Sequence, residues 1–211
     1  MTHAHRWFFK SLKNIVGIAK MDGDFDKVFS VGGDGVNQFS TSWNTHAYRC
    51  GLPVQTENLP RNVTLKGRKR NLGDVFHIGL AQVVSPEFRA FVEGLEPGVH
   101  QFEPVTLSWK DKSIAGEWFW FVPCRRVRTL KEDMLNPPLR ASGEWLPIHP
   151  ETKERVPYGT ERIVFDSSKI GDLLIWCDPG FPGEIYGSDA FVTAYEASGL
   201  SGLAFQKKKT V

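Results

Sequence analysis

The sequence predicts an α+β protein: a glycine-rich, mainly β amino-terminal part, followed by an α+β part with a mostly antiparallel sheet and a few short helices. Three observations carry this reading. Short apolar runs broken by turn-formers fill residues 6–74; alternating or two-sided apolar stretches follow from Asp74; and two segments bear both a cap residue and a helical apolar stripe.

The chain has 211 residues, of which 41% are hydrophobic and 24% charged, with seven Trp and fifteen Phe, enough apolar surface to bury a core. A division into a β-rich region 1–73 and an α+β domain 74–211 fits the change in pattern, and the two can equally form one compact unit. In residues 6–74 the turn signals Asp22-Gly23, Gly32-Gly33-Asp34-Gly35, Gly51-Leu52-Pro53 and Leu59-Pro60-Arg61-Asn62 punctuate runs such as Val28-Phe29-Ser30-Val31. The basic stretch Lys66-Gly67-Arg68-Lys69-Arg70 reads as a solvated boundary loop.

From Val75 to Leu80 apolar residues alternate, with Phe76, Ile78 and Leu80 on one face of a strand. Ser85-Pro86 then supplies a cap hydroxyl and a first-turn proline, and Phe88, Phe91, Val92 and Leu95 make the stripe of a helix that Pro97-Gly98 ends. A strand over 99–107 is expected next, then one from Glu117 to about Thr129. Its segment Trp118-Phe119-Trp120-Phe121-Val122 is apolar on both faces, which suits a strand buried on both sides rather than an exposed stacking platform. Residues 131–160 are proline-rich and aperiodic, the pattern of a long functional loop or excursion. Short strands are expected at 162–165, 172–175 and 184–186. Ser188, Asp189, the stripe Phe191, Val192 and Tyr195, and the stop Gly199 define a last helix; Leu203-Ala204-Phe205 returns as a strand, and Lys207-Lys208-Lys209 forms a solvated tail.

Twenty-six basic residues against 24 acidic ones leave a formal charge of +2, too balanced for binding driven by phosphate neutralisation. Cys50, Cys124 and Cys177 contain no C-x-x-C pair, so neither a disulfide framework nor a zinc ribbon is indicated, and a reducing compartment fits. The run from Asn14 to Ala19 is too short for a signal peptide, and no stretch reaches the roughly 20 apolar residues of a membrane span. A cytoplasmic protein that needs no cofactor or metal is expected.

Chemical motifs are sparse. The glycine cluster 32–35 lacks the Lys-Ser/Thr ending of a phosphate loop and reads as a turn. Asp22, Asp24 and Asp26 alternate as a calcium loop begins, but Lys27 stands where its glycine is required and Gly33 where its glutamate is required. His3 and His5 fall on a terminus expected to fray. Asp22, Asp24, Asp26, Glu144 and Trp145 are the candidates for contact with a protein partner, because acidic and aromatic side chains on loops can pair with a basic cleft and anchor in a pocket.

Three stretches carry a family resemblance: Gly73-Asp74-Val75 leading to Val84-Ser85-Pro86-Glu87-Phe88; Leu95-Glu96-Pro97-Gly98-Val99-His100-Gln101-Phe102-Glu103-Pro104-Val105; and Ile185-Tyr186-Gly187-Ser188 through Gly199-Leu200-Ser201-Gly202-Leu203-Ala204-Phe205. In order and spacing they resemble the immunity protein 11 family of bacterial polymorphic toxin systems, over about the last two thirds of the chain. The resemblance implies a protein without catalytic chemistry that binds a cognate toxin domain, encoded by the adjacent gene, and occludes its active site. Two other readings stand beside it: a small hydrolase or transferase built on His77, His100, Asp74 and Glu103, and a nucleic-acid module using Lys66 to Arg70 with the aromatics. The oligomeric state is left open.

Overall fold

The computed structural model describes residues 1–9, 15–32, 47–67, 71–79, 81–109, 112–114, 116–157 and 159–211. In chain order these form β1 (Ala4–Phe9), β2 (Ile15–Val16), β3 (Ile18–Met21), β4 (Asn62–Leu65), β5 (Val75–Ile78), β6 (Ala81–Val84), α1 (Pro86–Leu95), β7 (Gln101–Trp109), β8 (Lys112–Ser113), β9 (Trp118–Val122), α2 (Ser167–Ile170), β10 (Ile175–Trp176), β11 (Tyr186–Ser188), α3 (Asp189–Ser198) and β12 (Leu203–Lys207).

The larger sheet runs β2-β5-β6-β9-β7-β4-β3, with β8 appended to β7. Only Gly17 separates β2 from β3, so the two ends of this order are one piece of chain and the sheet closes into a barrel. Hydrogen bonds on both sides of the seam make the closure: Gly79 N–H donates to Val16 O at 3.2 Å, and Lys66 N–H donates to Gly17 O at 2.8 Å. The β2/β5 and β4/β7 pairs are parallel and the other pairs antiparallel. Alternation along each strand sends Val63, Leu65, Phe76, Ile78, Val83, Leu107 and Trp120 into one buried cluster inside the barrel.

The outer face of β5, β6 and β9 carries Val75, Val84, Phe119 and Phe121 into a second cluster, with Phe88 and Val92 of α1, Phe191 and Tyr195 of α3, and Trp7 of β1. Trp7 stacks on Phe191 at 5.0 Å between ring centroids, lies 6.0 Å from Phe121, and meets Phe88 edge-on at 6.3 Å. The expected two-sided burial of the Trp118–Val122 run thus has a concrete form, barrel interior on one side and helices on the other. Trp7 belongs to a second, four-stranded sheet, β10-β11-β1-β12, wholly antiparallel. A third cluster of Leu130, Leu135, Trp145, Phe165, Ile170, Trp176 and Tyr186 lies under the long loop. The result is the expected α+β architecture, dominated by sheet.

Both long helices start and stop as their sequences direct. Ser85 Oγ accepts from Phe88 N–H, with Pro86 in the first turn; Ser188 Oγ accepts from Phe191 N–H, and Gly199 ends α3 at φ +75°.

Some expectations need correction. The strand expected to reach Thr129 ends at Val122. Pro123 has no N–H for the ladder, and the chain beyond it leaves to pair with Cys177, which donates to Arg125 O at 2.9 Å and accepts from Val127 N–H at 3.1 Å. Residues 162–165 make isolated bridges, to Asn136, Leu130 and Thr210, in place of a strand. The segment expected as a strand over 172–175 begins one only at Ile175. The lysine tail is tied down: Lys207 ends β12, Lys208 N–H donates to Ala4 O at 2.8 Å, and Lys209 O accepts from Phe165 N–H at 2.9 Å. Leu80, Arg68, Lys69, Arg70 and the Gly33-Asp34-Gly35 part of the glycine cluster lie outside the described residues.

Strands from 1–73 and from 74–211 share both sheets. β1 pairs with β11 and β12, and β4 pairs with β7.

Candidate partner-binding surface

The Asp22–Asp26 loop joins β3 to a single 3-10 turn, Phe25–Lys27, whose Phe25 is buried. Asp22 is exposed but engaged: Oδ1 accepts from the N–H groups of Arg61 and Asn62 at 2.9 and 3.0 Å, and Oδ2 from Asn62 Nδ2 at 2.6 Å. These bonds, Asn62's foremost, hold its carboxyl below the usual range. Asp24 caps the 3-10 turn, accepting from Asp26 N–H at 3.1 Å, and pairs with Lys27 at 3.2 Å. Asp26 is exposed. The alternating aspartates therefore build a loop, with Asp22 and Asp24 oriented by it.

Glu144 and Trp145 are placed differently. Glu144 is half-buried, its Oε2 3.5 Å from the Ser142 hydroxyl. Trp145 is 6% exposed and its ring stacks on Phe181 at 5.3 Å, while its backbone N–H donates to Gly180 O at 2.6 Å. A tryptophan on a long loop looks like a surface anchor in sequence; here it pins the loop to the third cluster.

The groups considered for catalysis have separate structural duties. Arg49 donates one Nη to His77 Nε2 at 2.6 Å and the other to Gly183 O at 3.0 Å. Burial, aided by that guanidinium, pushes His77 down to about 2, so it is a neutral acceptor. His100 Nδ1 accepts from Cys124 N–H at 3.1 Å, and its Nε2 lies 2.8 Å from buried Glu96, which also meets Arg125 at 3.1 Å and Ile175 N–H at 3.2 Å. Asp74 accepts from the hydroxyls of Ser85 and Ser201 at 3.0 and 2.7 Å, tying the start of α1 to the turn before β12. Glu103 accepts from Gln101 Nε2 at 3.0 Å. Burial pushes the Cys124 thiol up to about 12 and that of Cys177 well above its ordinary value, which disfavours the thiolate. Among the described residues no three His, Cys, Asp or Glu side chains are arranged to hold a metal ion. Trp120 is buried in the barrel interior, where it cannot stack on bases, and Trp118 packs half-buried against the same cluster, edge-on to Phe76 at 5.2 Å.

A cluster the sequence reading missed ties the termini together. His5 Nε2 and His3 Nδ1 lie 2.7 and 2.8 Å from the two carboxylate oxygens of Asp189 at the start of α3, and His3 N–H donates to the same group at 2.8 Å. The terminus expected to fray is an inner strand of the smaller sheet. The alternating His3, His5 and Trp7 were the available signal.

Among the described residues the surface carries clefts on two different elements. One, of about 400 Å³, lies on the outside of the barrel between Arg61, Asn62, Thr106, Glu117 and Trp118. Another, of about 320 Å³, lies between α3 and β12, lined by Tyr195, Leu200, Leu203 and Phe205 with Glu196 at its side. Among the described residues no helix is long and apolar enough to cross a membrane.

Fold and surface together define a sheet-dominated α+β protein, a closed barrel carrying a second sheet, in which His77, His100 and Asp74 hold the architecture together. The chain belongs to the immunity protein family Imm11, whose model matches residues 45–210. The match begins well before Asp74, where the sequence resemblance starts, and takes in β4. Membership implies an immunity role, exercised by binding a cognate toxin. No curated protein matches the chain.

Proposed function

We propose that this protein neutralises a toxin domain, encoded by the adjacent gene, by binding it in the cytoplasm and covering its active site, with no catalytic step of its own. The observation that carries this reading is the family match over residues 45–210. The separate structural duties of His77, His100, Asp74 and Glu103 support it, because a hydrolase built on them would need a shared cleft. Neutralisation at low concentration calls for an interface of roughly 1,200–2,000 Å² with a few buried anchors. Asp26 is the candidate contact in the acidic loop that can meet a partner without releasing an internal bond; Asp22 and Asp24 would have to exchange theirs.

Co-expression with the product of the adjacent gene tests the reading. Growth should be restored by this chain, and the two purified proteins should form a complex. A toxic neighbour that this chain neither binds nor relieves overturns the proposal.

A further inference from the structure

Apart from the two-residue β8, the closed path of the barrel leaves no edge strand, but the smaller sheet has two. At β10 the edge is covered. The chain continues from it into Cys177, which is bonded to Arg125 and Val127, and Ile175 N–H donates to the buried Glu96 carboxylate. β12 is left uncovered from Leu203 to Lys207 among the described residues; just beyond it Phe165 takes the outward side, its N–H donating to Lys209 O at 2.9 Å and its O accepting from Val211 N–H at 3.0 Å. Lys208 N–H donates to Ala4 O, and Trp7 N–H points the opposite way, to Ile185 O. Ladder alternation then turns Ala204 and Gln206 toward β1, and turns the backbone groups of Leu203, Phe205 and Lys207 outward. Tyr195 Oη takes the Leu203 N–H at 3.2 Å. Phe205 and Lys207 pair with no further strand among the described residues.

Beside this edge runs the cleft between α3 and β12, floored by the Phe205 ring 5.3 Å from Tyr195. Lys207, the next outward position after Phe205, is exposed, and so is Lys209, whose carbonyl is held by Phe165. Lysines on an edge disfavour pairing with a second copy of the same edge and favour an acidic strand.

We propose that the β12 edge is the docking site for an extended acidic segment of the toxin domain. The segment adds as a fifth strand, bonding to the backbone of Phe205 and Lys207. It places an apolar side chain in the cleft and carboxylates beside Lys207 and Lys209. This rests on the toxin-neutralising reading.

Amide exchange and affinity, with the adjacent gene's toxin domain as the probe, test both. In the complex the amides of Phe205 and Lys207 should exchange at least tenfold more slowly. Lys207→Pro removes an outward N–H without removing a bond to β1, and Lys207→Glu reverses the charge; each should weaken binding at least tenfold while the thermal midpoint moves by only a few degrees. If the proline variant does not fold, the glutamate variant and the exchange data decide. Unchanged affinity in the folded variants, or protection confined to other surfaces such as the Asp22–Asp26 loop, overturns the docking site and leaves the toxin reading standing. Free chain that dimerises through β12, and becomes monomeric in Lys207→Pro, overturns it in favour of a second copy. A wild-type chain that neither binds nor protects removes the toxin reading and this inference together.

Discussion

His5 and Asp189 are 184 positions apart in sequence and 2.7 Å apart in space. Their bond ties the first strand to the last long helix. Asp189 also receives His3, so one carboxylate at the positive end of α3 gathers the amino terminus. Burial works against its ionised form, but the bonds from His5 and His3 outweigh burial and hold Asp189 well below its ordinary value of 3.8. A carboxylate lowered on folding stabilises the protein above its unfolded value, and that stabilisation is lost as pH falls through and below about 3.8. Asp189→Asn should cost about 1 kcal/mol near neutral pH, a modest figure because the group is partly solvated. Urea denaturation at pH 7 and at pH 3 should show the difference shrinking at the lower pH.

His77 has a linkage of the same sign from a different cause, burial of a group that is neutral when folded. Buried against Arg49 and pushed down to about 2, it stays neutral in the folded protein while the unfolded chain takes up a proton near 6.5. Between those values the unfolded state binds more protons, so stability should fall as pH drops below 6.5, by about 1.4 kcal/mol per unit for this one group. His77→Gln, which keeps an acceptor for Arg49, should flatten the dependence between pH 6.5 and 4.5. An identical slope in the two proteins would count against this origin.

Two neighbouring glycines should respond very differently to alanine. Gly199 adopts φ +75° with nothing within 4 Å of the place a Cβ would take, whereas at Gly202, with φ +110°, a Cβ would lie 2.0 Å from Val75 O. Gly199→Ala should cost about 1–2 kcal/mol, the ordinary left-handed penalty. Gly202→Ala should cost at least about 3 kcal/mol, because backbone must move as well. Thermal midpoints of the pair, measured side by side, check the order.

Trp120 is fully buried in the barrel and its Nε1–H donates to Pro60 O at 2.7 Å. Trp120→Ala should cost about 3–5 kcal/mol, and Trp120→Phe less. Denaturant midpoints will rank them.

Because β1 lies inside the smaller sheet and β4 inside the barrel, the fragment 74–211 should not fold alone. The expected result is a fragment without a cooperative thermal transition. Adding the 1–73 piece in trans is the complementary measurement.

What could be read from sequence was local. Ser85-Pro86 and Ser188 with Gly199 announce α1 and α3 because caps and stripes depend on a few adjacent residues. The Trp118–Val122 strand announces itself by having no polar face. The barrel does not, since its closure at Gly17 depends on Val16 and Gly17 meeting Gly79 and Lys66, contacts that no periodicity encodes. β1 was missed for the same reason: its partners lie at 186–188 and 203–207. The candidate surface was legible only as residue types. Asp22 and Trp145 have the chemistry of contact residues, but what each one touches is decided by the tertiary fold.

β1 precedes β12 in the chain by almost 200 residues. Synthesis of the segment between them takes on the order of 10 to 40 s at 5–20 residues per second. Throughout that interval Trp7 lacks the surroundings that bury it, so the smaller sheet can assemble only after β12 has emerged from the ribosome.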